Sequence, residues 1–253
     1  MLINNFKKRL INNDSLIGVF ASLGSEMASE VLGSSDIDYT LVDMEHAPND
    51  LRDTVNQMQT IKAAGGECLV RIPVLDHTYA KRLLDAGATS IMFPQINNIN
   101  DAQNAVKSVK YPPAGIRGIA GATRANNFGR ETNYVSLADD NICVICQIES
   151  VEACKNVKDI ASVEGVDLLF VGPGDLSADM GFIKNRAAPE VKEMAIQVLR
   201  EANKLNKPCG IMASNISEAQ EMLEIGFSVI AVTTDLVLLR NAIDEIGKLA
   251  KNN

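Results

Sequence analysis

Short apolar segments alternate along the chain with longer segments whose apolar residues recur at helical spacing. The short segments are rich in strand-favouring residues and are bounded by turn formers, which predicts eight β-strands at 16–22, 39–45, 67–73, 90–95, 142–150, 167–175, 208–214 and 227–235. Several of the longer segments end in glycine, where a helix C-terminus favours it; these glycines are Gly65, Gly87, Gly165 and Gly226. Strands that are apolar almost throughout indicate a parallel sheet covered on both faces.

Eight strand–helix repeats in 253 residues predict an α/β protein that forms one (β/α)8 TIM barrel over residues 1–253. The alternative is an open doubly wound sheet, but no G-x-G-x-x-G motif follows the first strand. The longest irregular stretch is the loop at 111–130, between the fourth and fifth strands. A loop of this length on a barrel is typically a functional lid or an interface arm.

The charge balance argues against nucleic acids and anionic membrane surfaces as partners. Lys and Arg number 24 against 32 Asp and Glu, a net charge of −8, and no basic run is present. No apolar run reaches the length of a membrane span, and no apolar stretch typical of a secretory signal follows the N-terminal basic residues, so we expect a cytoplasmic protein. The five cysteines are expected to be reduced; Cys143 and Cys146 form a CxxC motif, but on a strand they point to opposite faces, which favours buried structural thiols.

In a TIM barrel the chemistry lies at the C-terminal ends of the strands, and here those ends carry polar residues that packing does not explain. Glu149 and Asp175 come from the ends of the neighbouring fifth and sixth strands, with Gln147 on the same face as Glu149. Two carboxylates without a His or Cys cluster suit a hard divalent cation such as Mg²⁺, Mn²⁺ or Co²⁺ and leave positions for substrate oxygens. The alternative is that these acids cap loops or pair with Arg117 or Arg124.

Two further residues are candidates for catalysis. His46 follows Asp43 and Glu45 at the end of the second strand, where a general base held by a carboxylate could lie, although a structural role fits equally well. Arg71, at the end of the third strand, is suited to a developing oxyanion, with a plain salt bridge as the alternative. No lysine lies at a strand end, which disfavours a Schiff-base aldolase.

Seven sequence blocks together resemble the HpcH/HpaI aldolases, the class II, metal-dependent pyruvate aldolases. The blocks are LVDMEHAP, VRIP, LLDAGATSIMFPQ, YPPAGIRG, QIES, EGVDLLFVGPGDLSADMG and GIMAS, and they run in order between about residues 16 and 240. The resemblance implies that Glu149 and Asp175 hold the metal ion. It also implies that Arg71 steadies the keto oxygen as it becomes an enolate, and that His46, oriented by Asp43, is the base.

The resemblance also implies roles for residues around the substrate. Gln147 resembles a residue beside the metal site, and the backbone at Gly174 and Asp175 would hold the pyruvate carboxylate. Met212 matches a wall of the substrate pocket. Asp85 resembles an acid that is contributed to a neighbouring subunit's site, and the resemblance implies a homotrimer or homohexamer of barrels.

The function implied is cleavage of a 4-hydroxy-2-oxo acid, of the 2-keto-3-deoxy sugar acid or 4-hydroxy-2-oxoheptanedioate type, to pyruvate and an aldehyde through a metal-stabilised enolate. The aldehyde stays open among succinic semialdehyde, tartronate semialdehyde and lactaldehyde. One alternative is a metal-dependent decarboxylase or lyase acting on an oxaloacetate-like 2-oxo acid, which also needs an enolate but no hydroxyl-deprotonating base. Another is a non-catalytic barrel used for binding or assembly.

Overall fold

A computed structural model describes residues 3–251 of the chain, and side chains from 3 to 249. Eight parallel strands follow one another in chain order and close into a barrel, which confirms the predicted TIM-barrel fold. The strands are β1 (Leu16–Ala21), β2 (Tyr39–Asp43), β3 (Cys68–Arg71), β4 (Ser90–Phe93), β5 (Cys143–Ile148), β6 (Leu168–Val171), β7 (Cys209–Ala213) and β8 (Val229–Thr234). The helices are α1 (Asn5–Ile11), α2 (Glu26–Gly33), α3 (Leu51–Ala63), α4 (His77–Asp85), α5 (Ile99–Val109), α6 (Tyr134–Asn141), α7 (Val151–Lys155), α8 (Val157–Ser162), α9 (Pro173–Asp179), α10 (Pro189–Lys204), α11 (Ile216–Ile225) and α12 (Asp235–Lys251).

Every predicted strand coincides with an observed one, and the differences lie at the ends. The sixth was predicted to reach residue 175, yet β6 ends at Val171. Pro173 has a backbone angle preset for a helix and occupies the first position of α9, so Asp175 lies in the first turn of that helix rather than on the strand. The four predicted helix-terminating glycines all have left-handed backbone angles, with φ between 96° and 114°.

Alternating side chains divide the core into an interior and an outer layer. On β5, Cys143 and Ile145 pack inside the barrel, whereas Cys146 packs in the layer between the strands and the helices. All five cysteines are free and buried, so the prediction of structural thiols on opposite faces is confirmed. Helix α1 closes the N-terminal end of the barrel, where the Phe6 ring lies edge-on to Tyr39 at 5.3 Å.

The loop at 111–130 lies at the N-terminal end of the barrel, because α5 carries the chain back from the C-terminal end of β4. The Ala125 N–H donates to the Asp85 carbonyl at the end of α4, over 3.1 Å. The buried Arg117 lies 2.9 Å from the Asp85 carboxylate. The lid interpretation is therefore wrong for this barrel's own strand-end site, and Arg117 pairs with Asp85 rather than with Glu149 or Asp175. The interface-arm interpretation stays a prediction.

The described residues contain no helix that is long and apolar enough to cross a membrane. The eight strands and all the helices belong to one closed barrel and its surroundings. The assignment of residues 1–253 to a single domain stays a prediction, and it extends two residues beyond the described part at each end.

Candidate active site

The alternation that fills the barrel interior continues into a polar layer at the C-terminal ends of the strands. Leu41 and Leu69 pack in the interior, so the next inward positions are Asp43 and Arg71, which are register partners on β2 and β3. Arg71 donates from Nε to Asp43 Oδ1 and from Nη2 to Oδ2, both over 2.8 Å. The guanidinium also lies 5.0 Å from the centre of the Phe20 ring. This two-point contact fixes the plane and position of the Arg71 cation.

Hydrogen bonds connect Arg71 to Glu149, the predicted metal ligand that directly follows β5. Arg71 Nη1 donates to Gln147 Oε1 over 3.5 Å, and Gln147 Nε2 donates to Glu149 Oε2. The other carboxylate oxygen, Glu149 Oε1, accepts the Gln95 N–H over 2.8 Å. Gln95 makes this contact from a left-handed backbone conformation, with φ of 54°, which is uncommon for a residue other than glycine. Both oxygens of Glu149 are therefore oriented before any ligand binds.

Burial controls the ionisation of Glu149. It raises the pKa of this carboxyl to about 7, and the bond from Gln95 only partly opposes the rise. The negative charges of Glu45 and Asp175 raise the pKa further.

A glycine lets the backbone approach the Glu149 carboxylate. A Cβ added at Gly172 would lie 2.7 Å from Glu149 Oε2 and 2.9 Å from Gln147 Nε2, too close for a real side chain. Gly174, two residues on, has open space at the same position, with no atom of the described structure within 4 Å of an added Cβ. The turn that leads to Asp175 thus requires glycine at 172 and not at 174.

Glu45 adds a third carboxylate, which sequence reasoning mentioned only as a residue preceding His46. Its side chain is buried, and Arg71 Nη1 lies 3.0 Å from Oε2, but this oxygen has no hydrogen bond. Burial raises the pKa of Glu45, although the neighbouring Arg71 and His46 oppose the rise. Strand alternation could have predicted that Glu45 faces the barrel mouth, because it is two residues beyond the inward-facing Asp43.

The donor set fits a hard divalent cation. The carboxylates of Glu45, Glu149 and Asp175 repel one another, and Glu45 Oε2 has no hydrogen-bond partner, so a bound cation would neutralise excess negative charge. Oxygen ligands suit Mg²⁺ or Mn²⁺ better than Zn²⁺. Within residues 3–249, no three or more His, Cys, Asp or Glu side chains converge in a way that could hold a metal ion by themselves. Glu149 and Asp175 would therefore form an open site, completed by other oxygens.

The imidazole of His46 has different neighbours from those expected. Its Nε2 lies 3.8 Å from Glu45 Oε2 and 3.8 Å from Asp175 Oδ2, and the side chain is 59% exposed. Asp43 reaches only the backbone of His46, accepting its N–H over 3.4 Å, because Arg71 occupies both carboxylate oxygens. Asp43 thus orients Arg71 and the turn, while Glu45 and Asp175 lie beside the ring.

Most of the predicted residues meet in one cavity of about 340 Å³ at the mouth of the barrel, a volume in the range of small-molecule sites. Those lining it are Asp43, His46, Arg71, Gln147, Gly174, Asp175 and Met212. Glu149 is not in this lining but accepts a hydrogen bond from Gln147, which is. Asp85 does not join them, because it lies at the opposite end of the barrel and is paired with Arg117. Its role in a neighbouring subunit stays a prediction.

The sequence of residues 16–242 matches the HpcH/HpaI aldolase/citrate lyase family. The chain belongs to this family. It is 37% identical to a 5-keto-4-deoxy-D-glucarate aldolase of Citrobacter koseri, over 98% of this chain and 96% of the relative. It is 38% identical to a hydroxypyruvate/pyruvate aldolase of Paraburkholderia phytofirmans, over 96% of this chain and 97% of the relative. The crystal structure of an HpcH/HpaI family protein from Burkholderia cenocepacia superposes with a TM-score of 0.94 at 37% identity, over 98% of this chain and 99% of that one.

Membership of the HpcH/HpaI family confirms the predicted resemblance and, with it, an enzyme of the aldolase type, a carbon–carbon lyase. Sequence reasoning also gave no role to Gly172 or Arg186, which both line the cavity. Gly172 occurs in the sequence analysis only within one of the seven blocks. Arg186, which also lines the cavity, follows α9 in an irregular segment, where no strand alternation predicts the direction of a side chain.

Proposed function

We propose that this HpcH/HpaI family member is a class II aldolase that cleaves a 4-hydroxy-2-oxo acid to pyruvate and an aldehyde. The observation that carries the proposal is that an oriented Arg71 and Asp175 line one small cavity, while the Glu149 carboxylate is hydrogen-bonded to Gln147 in the lining of the same cavity. The relatives named 5-keto-4-deoxy-D-glucarate aldolase favour the sugar-acid branch of this substrate class.

A divalent cation, Mg²⁺, Mn²⁺ or Co²⁺, held by Glu149 and Asp175 would supply positive charge that stabilises an enolate. Gln147 and the Gln95 N–H keep the Glu149 oxygens in place, and Gly172 leaves room for them. Surrounding groups of this kind set the orientation of a metal ligand.

Residues of the protein bind the substrate, accept its proton and stabilise the enolate. The backbone N–H groups at Gly174 and Asp175 bind the carboxylate of the 2-oxo acid, and Met212 forms a wall of the pocket. His46 accepts the proton of the 4-hydroxyl group. The C3–C4 bond then breaks, the aldehyde leaves, and the bonding electrons pass into the enolate of pyruvate, whose oxyanion Arg71 stabilises by a fixed charge. Protonation of the enolate at C3 gives pyruvate.

Replacing either predicted metal ligand tests the proposal. Glu149→Ala and Asp175→Ala are expected to lower kcat for cleavage of a 4-hydroxy-2-oxo acid by at least about 100-fold, because each removes stabilisation of the enolate charge. Calorimetric titration with Mn²⁺ should show lost affinity in both variants. Glu152→Ala, an exposed carboxylate on α7, is the matched control and should retain both properties. Intact cleavage in either ligand variant would contradict the proposal.

We also propose that the enzyme works as a homotrimer or homohexamer. Helix α12 supports association, because its side chains from 241 to 249 are all exposed and its apolar residues recur at helical spacing. Leu239, Ile243, Ile246 and Leu249 are exposed by 49%, 56%, 67% and 68%. An apolar stripe of this length on a helix indicates a surface that another copy covers. Light scattering after size-exclusion chromatography measures the number of copies.

A cytoplasmic location is our last proposal for this protein. The five free, buried thiols support it, since reduced cysteines are usual in that compartment. Fractionation of cells followed by detection of the protein tests the location, and recovery from the membrane or secreted fraction would contradict it.

A further inference from the structure

Arg186 is a cation at the active-site cavity that the proposed mechanism does not use. It lies between α9 and α10, and its side chain borders the cavity that contains His46 and Asp175. On its other side it borders a larger groove of about 760 Å³ between α10 and α11. Arg186 therefore forms part of the wall on the β6–β7 side of the mouth.

The contacts of Arg186 hold it in place and leave donors free. Its Nη2 donates to the Met212 carbonyl at the end of β7 over 3.1 Å and to Glu218 Oε1 over 3.3 Å. Glu218 is itself held by the N–H of Ser214 over 2.7 Å. All of these contacts of Arg186 use Nη2, whereas a guanidinium has five N–H donors. The remaining donors are available to a ligand, and the side chain is one-third exposed.

The other cation at the cavity is already committed. Arg71 donates to both oxygens of Asp43 and forms an ion pair with Glu45, and the mechanism assigns it to the keto oxygen. At the ends of β1 and β8 the cavity is lined by the uncharged residues Ser22, Thr234 and Leu236, and the buried Asp235 behind them accepts the N–H groups of Ser22 and Leu23. If a substrate in this cavity carries a second carboxylate, the positively charged group available to bind it is therefore the guanidinium of Arg186.

We propose that Arg186 recognises a carboxylate at the far end of the substrate, so that the preferred substrates are 4-hydroxy-2-oxo diacids and the aldehyde released carries a carboxylate. This inference rests on the proposed aldolase function and deepens it. Arginine suits the task because its planar fork matches the two oxygens of a carboxylate. Glu218 and the Met212 carbonyl position the fork, and no proton or bond changes at Arg186 during the reaction.

A pair of aldehydes that differ only in the terminal group, a carboxylate or a methyl group, tests the inference in the direction of aldol addition to pyruvate. Succinic semialdehyde and butyraldehyde have the same chain length, and only the first carries a carboxylate. In Arg186→Gln, kcat/KM for succinic semialdehyde should fall by about 10- to 100-fold, the usual effect of losing a hydrogen bond to a charged group. The value for butyraldehyde should stay unchanged, and Arg186→Lys should recover part of the loss for the acid.

Two controls separate this specificity from other effects. Lys192→Gln removes the same charge from α10, where Lys192 pairs with Glu221 away from the cavity, and should leave both aldehydes unaffected. The thermal unfolding midpoint of Arg186→Gln should match that of the wild type. Equal losses for the two aldehydes, no loss for the acid, or a wild type that does not prefer the acid would overturn the inference.

Failure of the proposed function itself gives a different result. Hydrogen–deuterium exchange at the pyruvate methyl group requires the enolate but no aldehyde. If the wild type does not catalyse this exchange with any divalent cation, the aldolase proposal fails and the inference fails with it. If the wild type and Arg186→Gln exchange equally fast while neither distinguishes the two aldehydes, only the inference about Arg186 is overturned.

Discussion

Glu149→Gln should stabilise the metal-free protein at alkaline pH while weakening its response to a cation. The pKa of Glu149 is raised from 4.5 to about 7 in the folded state, chiefly by burial. At about 1.4 kcal/mol for each tenfold change in acidity, the rise corresponds to about 3 kcal/mol. Because the folded state binds this proton more tightly than the unfolded state, the favourable contribution is fully present below pH 4.5 and is lost as pH rises through 7.

Glutamine keeps the shape of Glu149 and carries no buried charge, and like the protonated carboxyl group it has one accepting oxygen and one group that donates. Urea denaturation in EDTA should therefore show a variant that is more stable than the wild type at about pH 8, by up to about 3 kcal/mol, with the difference disappearing towards about pH 4.5. Glu152→Gln should show no such pH-dependent difference. Added Mn²⁺ should then stabilise the wild type more than Glu149→Gln, because a ligand that binds only the folded state raises its stability. Equal stability of variant and wild type at pH 8 would refute the reasoning.

Three further results are expected. Gly172→Ala should weaken Mn²⁺ affinity by about tenfold or more in calorimetric titration, because its Cβ would lie 2.7 Å from Glu149 Oε2. Gly174→Ala, which has open space, should bind as the wild type does, and equal effects of the two changes would contradict this account. His46→Ala should abolish aldol cleavage but spare decarboxylation of oxaloacetate, which requires no hydroxyl deprotonation; parallel loss of both would argue against His46 as the base. Ile246→Asp should yield smaller particles in light scattering, since it places a charge in the apolar stripe of α12, and an unchanged particle mass would count against association through this helix.

The fold and much of the cavity could be predicted because they follow from strand periodicity. An eightfold strand–helix repeat gives the barrel, and alternation along β2, β3 and β5 places Asp43, Arg71 and Gln147 at the inward positions of its mouth. The same alternation, continued two residues beyond Asp43, predicts that Glu45 also faces the mouth of the barrel. These residues lie on or next to strands, whose side-chain direction has a fixed period of two.

The remainder depends on contacts that no local period encodes. Asp43 was expected to orient the imidazole of His46, but its register partner on β3 is Arg71, and the arginine fork takes both carboxylate oxygens. Arg186 lies in an irregular segment, so its approach to the cavity depends on Met212 and Glu218 from other elements. The place of the loop at 111–130, by contrast, follows from the strand–helix repeat itself. Helix α5 precedes the loop and carries the chain back to the N-terminal end of the barrel, so the lid interpretation overlooked a consequence of the predicted fold.

Proton exchange at the methyl group of pyruvate in D₂O, followed by NMR, tests most directly whether this barrel stabilises an enolate with a divalent cation. The account predicts exchange in the presence of Mg²⁺, Mn²⁺ or Co²⁺ that EDTA abolishes and that Glu149→Ala greatly slows. Exchange that is unaffected by EDTA and by Glu149→Ala, or no exchange with any of the three cations, would contradict it.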